Sequence, residues 1–394
     1  MDFLNKSAKE IKTAFSDLRK RTEDLCAHIK PEDSVVQPAV FVSPPKWHLG
    51  HTSWFFEEFV LKAFGKNYRP YREDYDFLFN SYYNHAGDRV PRDQRGLMTR
   101  PTLSEVMDFR NNITEEVLKL LDELDSDHRV YHVLEIGMNH EEQHQELLAY
   151  DIKFILGHQV LSPEMETNFK QEKNSSSDGF VAMDEGIYEM GHLGEGFSFD
   201  NEHQAHKVFL HSYELSKGLV KNADYLEFIE DGAYENFALW HSDAWDFVNA
   251  NGLEAPLYWH KPQEEWYHYR LNGWQLIDPN APVEHISFYE AAAFAEWAGY
   301  RLPTEFEWEA ASGKFDWGHL WEWTESAYLP YPGFKAAEGA LGEYNGKFMV
   351  NQKVLRGASY ATAPGHSRPT YRNFFHPDMR WHLAGIRLAK KQNL

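Results

Sequence analysis

The sequence predicts an α+β protein in two parts, a four-helix bundle followed by a domain of short strands and few helices. Three observations predict it. Residues 5–156 hold four segments with apolar residues at helical spacing. A polar stretch from Glu164 to Asp178, containing Ser175-Ser-Ser177, then interrupts the chain. Beyond it, β-type runs lie among many glycines and tryptophans, and two clear helices are expected, over 221–231 and 287–299. The division is a bundle over 1–163, a linker over 164–178 and a second domain over 179–394.

The first helix is expected over 5–29, where Ile11, Phe15, Leu18, Leu25 and Ile29 recur mostly at three- and four-residue intervals. A proline-bearing connection, Pro31 to Pro45, leads to the second helix, which opens after Pro44-Pro45 because proline is pre-organised for a first helical turn. Residues 66–101, rich in Tyr, Asn, Asp, Gly, Pro and Arg without a sustained period, read as a long loop. Long ordered loops in compact domains usually carry function. Thr102-Leu-Ser-Glu105 is a capping box opening a third helix to about Leu124. The fourth runs from about Asp127 to Leu156. Four helices with one long crossover make an antiparallel bundle, where metal sites are built from inward-facing side chains.

Composition excludes several classes. Of 394 residues, 42% are apolar and 15% aromatic, which fits a folded globular protein. The 39 basic and 61 acidic residues give a net charge of −22, which repels nucleic acid and anionic membranes. No run approaches ~18 apolar residues, and Met1-Asp-Phe-Leu-Asn-Lys lacks the apolar core of a secretion signal. The single cysteine, Cys26, permits no intrachain disulfide and no cysteine-rich zinc site. A cytoplasmic setting is expected, and self-assembly into a homo-oligomer is left open.

The chemistry concentrates in Glu135–Tyr150. On a helix, His140 and His144 fall about 40° apart on one face with Val133, Ile136, Gly137 and Leu147, and Gln143 lies on its flank. Glu142 and Glu146 point the other way. Two imidazoles one turn apart on an apolar face can share one metal ion. His140-Glu141-Glu142-Gln143-His144 is also a literal H-E-x-x-H, which would make Glu141 the general base of a zinc metallohydrolase. The extended form fails, because Leu147 and Tyr150 stand where glycine and a third histidine are expected. In a bundle, His51 on the second helix is the third ligand, with His48 one turn earlier as its rival. Three neutral imidazoles leave coordination positions open and suit a mononuclear iron or zinc site.

The second half carries Pro282-Val-Glu-His-Ile-Ser287, Arg301-Leu-Pro-Thr-Glu-Phe-Glu-Trp308, Trp321-Glu-Trp-Thr324, Val354-Leu-Arg-Gly-Ala-Ser359 and Gly385-Ile-Arg-Leu-Ala389. In this order they resemble the formylglycine-generating-enzyme (sulfatase-modifying factor) fold, a relative of C-type lectins. That chemistry uses a cysteine pair, and no cysteine follows Cys26. The first half, with His51, the His140/His144 pair and Arg92-Asp-Gln-Arg95-Gly-Leu-Met-Thr-Arg100-Pro, resembles a DinB-like bundle. Together they resemble the ergothioneine-biosynthesis sulfoxide synthases. The resemblance implies an Fe(II) site of His51, His140 and His144 that uses O2 to join a thiol sulfur to imidazole C2 of Nα-trimethylhistidine (hercynine), yielding a sulfoxide. It implies that Gln143 hydrogen-bonds the substrate imidazole and that Asn373 holds its trimethylammonium end. Phe374, Phe375 and Trp381 supply aromatic faces for that cation. Arg92 and Arg95 would fork onto the thiol's carboxylate, and Arg380 is a further substrate-binding residue.

Two departures select the sulfur donor. Relatives using γ-glutamylcysteine have an Asp where Phe375 stands, and a catalytic Tyr in the segment matching Phe334-Lys-Ala336, which has none. Tyr82-Tyr83 in the long loop instead resembles the subgroup using free cysteine, so cysteine is the expected donor and Tyr82 or Tyr83 the expected proton donor. The short stretch Gly313–Gly318 implies a trimmed loop near the active face. The alternatives are a selenoneine-forming synthase of the same architecture, the zinc metallohydrolase, and a non-catalytic binding module without stoichiometric iron. Retention of Arg92 and Arg95 favours a carboxylated thiol over a selenosugar.

Overall fold

The computed structural model describes residues 3, 6–81, 87–124, 128–166, 178–336 and 345–391. Four helices form the bundle: α1 (Ala8–Cys26), α2 (Pro45–Phe56), α5 (Leu103–Glu123) and α6 (His128–Gly157). Capping boxes at Ser7/Glu10 and Thr102/Glu105 fix where α1 and α5 begin. Pro45 opens α2, which runs through a π turn at Glu57–Leu61 into the short α3 (Lys62–Phe64). The expected loop over 66–101 is only partly irregular. It contains α4 (Tyr75–Phe79) and a 3-10 turn at Arg92–Leu97, because Tyr75 and Phe79 are fully buried and pack on Phe109 of α5.

Apolar side chains of all four long helices, among them Phe15, Phe55, Phe109 and Met138, form the bundle core. Close approach of α2 to its neighbours depends on two glycines. A Cβ on Gly50 would overlap the Phe79 ring, and one on Gly137 would meet Phe56 at 2.7 Å and Phe55 at 2.9 Å. Within this apolar core lies an ionic triad. Glu141 accepts from Arg19 of α1, Arg110 of α5 and Thr22 Oγ1, while Arg19 also donates to Ser53 and Arg110 to Thr52 on α2. All four helices are thereby tied to one carboxylate.

At 30 residues, roughly 45 Å, α6 is longer than the bundle needs. Its C-terminal half continues into a second core, where Leu148, Tyr150, Ile152 and Phe154 pack with Leu320, Trp381 and Leu383. The second domain contains two four-stranded sheets, ordered β1-β4-β13-β8 and β11-β10-β9-β12, a β2-β3 hairpin and a β5-β6-β7 meander. The strands are β1 (Phe180–Met183), β2 (Gly186–Met190), β3 (His206–Leu210), β4 (Tyr213–Ser216), β5 (Trp259–His260), β6 (Tyr267–Arg270) and β7 (Gly273–Leu276). They continue as β8 (Tyr300–Arg301), β9 (Trp321–Ala327), β10 (Lys353–Gly357), β11 (Asn373–Phe375), β12 (Ala384–Gly385) and β13 (Ala389–Lys390).

The two expected helices are α7 (Asn222–Glu230) and α9 (Phe288–Trp297), and two more appear, α8 (Ser242–Asn251) and α10 (Glu305–Ala311). Residues 167–177 of the expected linker lie outside the described residues. Met165 is buried and its N–H donates to Leu271 O, so the chain already contacts the second domain there. The sequence motifs of this domain meet in space: β9 pairs in parallel with β12, and Glu322 takes a two-pronged ion pair from Arg387. Among the described residues no helix is long and apolar enough to cross a membrane.

Two outcomes follow from the bundle. Gly50→Ala gains about 1 kcal/mol of helix propensity but drives a methyl into the fully buried Phe79 ring, a cost of about 1–3 kcal/mol. A lowered melting temperature is expected in a thermal scan. Burial alone would raise the Glu141 pKa, but Arg110 and Arg19 overcome it and hold the carboxyl near about 2, against an ordinary 4.5. The depressed value means its stabilisation is complete above about pH 4.5 and is lost as pH falls through about 2. Glu141→Gln leaves the buried Arg19 guanidinium without a carboxylate and Arg110 with Glu23 alone, so urea titration should show a loss of about 3–5 kcal/mol at neutral pH and a shallower acid limb.

Candidate metal centre

His140 and His144 stand one turn apart on α6 with ring centroids 4.5 Å apart. His51 of α2 faces both, at 5.0 Å and 4.7 Å between centroids. One donor nitrogen from each of the three lies within 4.8 Å of the others, and the Nε2 atoms of His51 and His140 are 3.3 Å apart. Two nitrogens bound at ~2.0–2.1 Å to one ion sit about 3–3.4 Å apart, so this spacing fits a shared cation. The rings are held by stacking: His51 between Trp47 at 4.5 Å and Trp54 at 5.6 Å, and His140 on Phe55 at 4.5 Å.

Hydrogen bonds set the tautomers. His51 Nδ1 lies 2.6 Å from Phe79 O, a pure acceptor, so Nδ1 carries the proton and Nε2 keeps its lone pair for the centre. His48, the rival ligand, stands outside the triad. Its Nε2 is 2.9 Å from Asp151 Oδ2 and its Nδ1 is 2.8 Å from His144 Nδ1. With Asp151 accepting, His48 presents a lone pair at Nδ1, His144 donates to it, and His144 Nε2 is free to ligate. Asp151 is held in turn by the Ser43 N–H and by Trp381 Nε1 of the second domain. Burial is the main cause that depresses all three ligand pKa values, His140 to about 3 and the other two well below the usual imidazole range. The imidazoles are therefore neutral donors, and the donor set fits a divalent cation with positions left open. Glu141 cannot serve as the base of a metallohydrolase here, because both its oxygens are engaged by Arg19, Arg110 and Thr22.

A cleft of about 560 Å³ between the domains reaches His144. Gln143 lines it, with Nε2 donating to Tyr371 OH at 2.6 Å while Oε1 is buried without a hydrogen-bond donor among the described residues. Asn373, Phe374 and Phe375 line the opposite wall, and Phe374 stacks on Tyr328 at 4.1 Å. Arg95 is buried beside Ser43, with its guanidinium 3.4 Å from the Trp47 ring centroid. Arg92 lines the mouth and donates to Val40 O and Phe41 O. Arg380 is not among the residues lining this cleft, and its guanidinium forks onto Glu290. Tyr82 and Tyr83 lie outside the described residues.

Four residues that the sequence did not single out as functional belong to the site: Glu146, Asp151, Tyr371 and Asn201. Glu146, expected to face away, lines the cleft and is buried. Its Oε1 accepts from Tyr150 OH, Trp321 Nε1, Ser359 Oγ and Thr362 Oγ1, and no described residue donates to Oε2. Its position two residues after His144 was the available signal. Asp151 lies two helical turns beyond His144, but its partner His48 is 103 positions away. Asp151→Asn removes the acceptor that orients His48 and, through it, His144, and should weaken metal binding about 10–100-fold in a chelator competition. His51→Ala should abolish stoichiometric binding altogether.

Comparison with known proteins agrees with this geometry. Residues 165–316 and 316–392 match the sulfatase-modifying factor enzyme 1-like domain, and residues 14–148 match the DinB superfamily. The hercynine oxygenase of Mycolicibacterium smegmatis is 28% identical over 400 residues, covering 88% of this chain and 91% of that protein. That of Mycolicibacterium thermoresistibile is 27% identical, covering 88% and 87%. The Mycobacterium tuberculosis counterpart is 28% identical over 305 residues, covering 65% and 71%. The chain belongs to the sulfatase-modifying factor enzyme 1-like family, with that domain carried behind a DinB-superfamily bundle.

Proposed function

We propose that this protein is a hercynine oxygenase, a non-heme iron(II)- and O2-dependent sulfoxide synthase that joins the sulfur of cysteine to imidazole C2 of hercynine. The observation that carries the reading is a buried three-histidine donor set opening, through His144, onto a cleft shared by both domains. Relatives of that name over 88% of the chain support it. The overall change balances as thiol plus imidazole C–H plus O2 giving sulfoxide plus water. The S–H and C–H hydrogens leave with one oxygen atom, and the other stays on sulfur.

His51, His140 and His144 would hold the iron. When bound, the cation supplies a Lewis-acidic site that holds the thiol as thiolate and passes electrons to O2. The protein's own groups orient the substrates. Gln143 Oε1 accepts the N–H of the substrate imidazole, leaving its other nitrogen directed at the centre. The trimethylammonium group rests on Phe374 and Phe375, with Glu146 Oε2 as the nearby negative charge. Arg95, fixed against Trp47, is placed to take the carboxylate of the thiol. Tyr82 or Tyr83 holds the proton delivered during oxygen reduction.

Anaerobic loading with Fe(II), followed by hercynine, cysteine and air, should give oxygen uptake and equimolar sulfoxide. Gln143→Ala should raise the KM for hercynine about tenfold or more while leaving iron content unchanged. Absence of the sulfoxide from a stoichiometrically iron-loaded protein would overturn the assignment.

A further inference from the structure

Two residues that line the cleft, Gln143 and Asn201, each carry an amide oxygen buried without a hydrogen-bond donor among the described residues, Oε1 and Oδ1. The first is accounted for by the substrate imidazole. The second is not. Asn201 sits in a 3-10 turn, Asp200–Glu202, on the second-domain wall and is 3% exposed. Its Nδ2 donates to Tyr328 OH at 2.9 Å and to Arg372 O at 3.1 Å. A backbone carbonyl can only accept, so the amide cannot turn over without setting two oxygens against each other. The side chain is fixed further because Arg372 donates to Asn201 O at 3.0 Å and is itself clamped by Glu305. By contrast, Asn373 Oδ1 already accepts the Phe374 N–H.

A rigid, buried acceptor with no donor costs free energy unless a ligand supplies one. The trimethylammonium group of hercynine carries no N–H and cannot do so. The α-ammonium of a free amino-acid thiol can. We propose that Asn201 is a specificity-determining residue for the sulfur donor, its Oδ1 accepting an N–H of the donor's α-ammonium group. This rests on the reaction proposed above and adds the amine as a recognised feature of the second substrate.

The test pairs a substrate deletion with a side-chain deletion. With hercynine held constant, kcat/KM is measured for cysteine and for 3-mercaptopropionate, which keeps thiol and carboxylate but lacks the amine. The unaltered protein should prefer cysteine at least about tenfold. In Asn201→Ala the preference should shrink by about that factor, with the KM for hercynine and the iron stoichiometry unchanged. Equal use of the two thiols by the unaltered protein overturns the proposal without recourse to any variant. So does an undiminished preference in a folded Asn201→Ala protein. Failure of every thiol to give sulfoxide would instead remove the proposed reaction, and this assignment with it.

Discussion

Glu146 of α6 accepts hydrogen bonds from Trp321, Ser359 and Thr362 through one carboxylate oxygen, and the geometry of the site depends on that contact. A carboxylate taken out of water is costly unless several donors converge on it. Here three of them come from strand β9 and the segment after β10, so the second domain is held against the helix two residues from His144. Glu142 adds a second fastening one turn earlier, accepting from His366 Nδ1 at 3.0 Å. The face of α6 opposite the ligands is therefore a polar docking surface for the second domain.

This arrangement divides the labour of one helix. Toward the bundle, α6 presents His140, Glu141 and His144; toward the second domain, Glu142, Glu146 and Lys153. Asp151, on the face of His140 and His144, bonds to both domains. The hydrogen-bonded chain from Trp381 through Asp151 and His48 to His144 crosses between the two. A ligand nitrogen is thus oriented by a tryptophan from the other domain, while His51 is oriented within the bundle by Phe79 O. Precise ligand orientation requires such outer contacts, since a neutral imidazole has two nitrogens and must present the correct one. The buried imidazoles contribute no charge of their own, so a divalent cation held by them would keep its charge for anionic groups in the cleft.

Much of this was legible in the sequence because it is local. Helix starts followed from Pro45 and the Thr102/Glu105 box, and the i, i+4 histidines on an apolar face identified two donors. What escaped detection depends on partners far apart in the chain. α10 reads poorly as an amphipathic helix because Glu305 is buried, matched there by Arg372 from 67 positions away. α8 buries just Ala244 and Val248, too narrow a stripe to register as a period. α4 was hidden in a polar loop, and the carbonyl of its last residue sets the His51 tautomer, a backbone role with no side-chain signature. Asn201 is defined by a tyrosine 127 positions away and a carbonyl 171 positions away.

The arginines show how such remote pairing alters a functional reading. Arg387 is matched by Glu322, Arg372 by Glu305 and Arg380 by Glu290. Each pair joins separate segments of the second domain, and a guanidinium already forked onto a carboxylate offers little to an incoming anion. Arg92 is directed at two backbone carbonyls. Arg95 donates to Ser43 Oγ and Ser81 Oγ and lies over the face of Trp47, and that tryptophan stacks on His51. Of the two arginines considered for the sulfur donor's carboxylate that line the cleft, Arg95 is the buried one, and its positive charge lies over Trp47, beside His51. A carboxylate drawn to that charge would bring its thiol toward the histidines, which is the geometry the proposed chemistry requires.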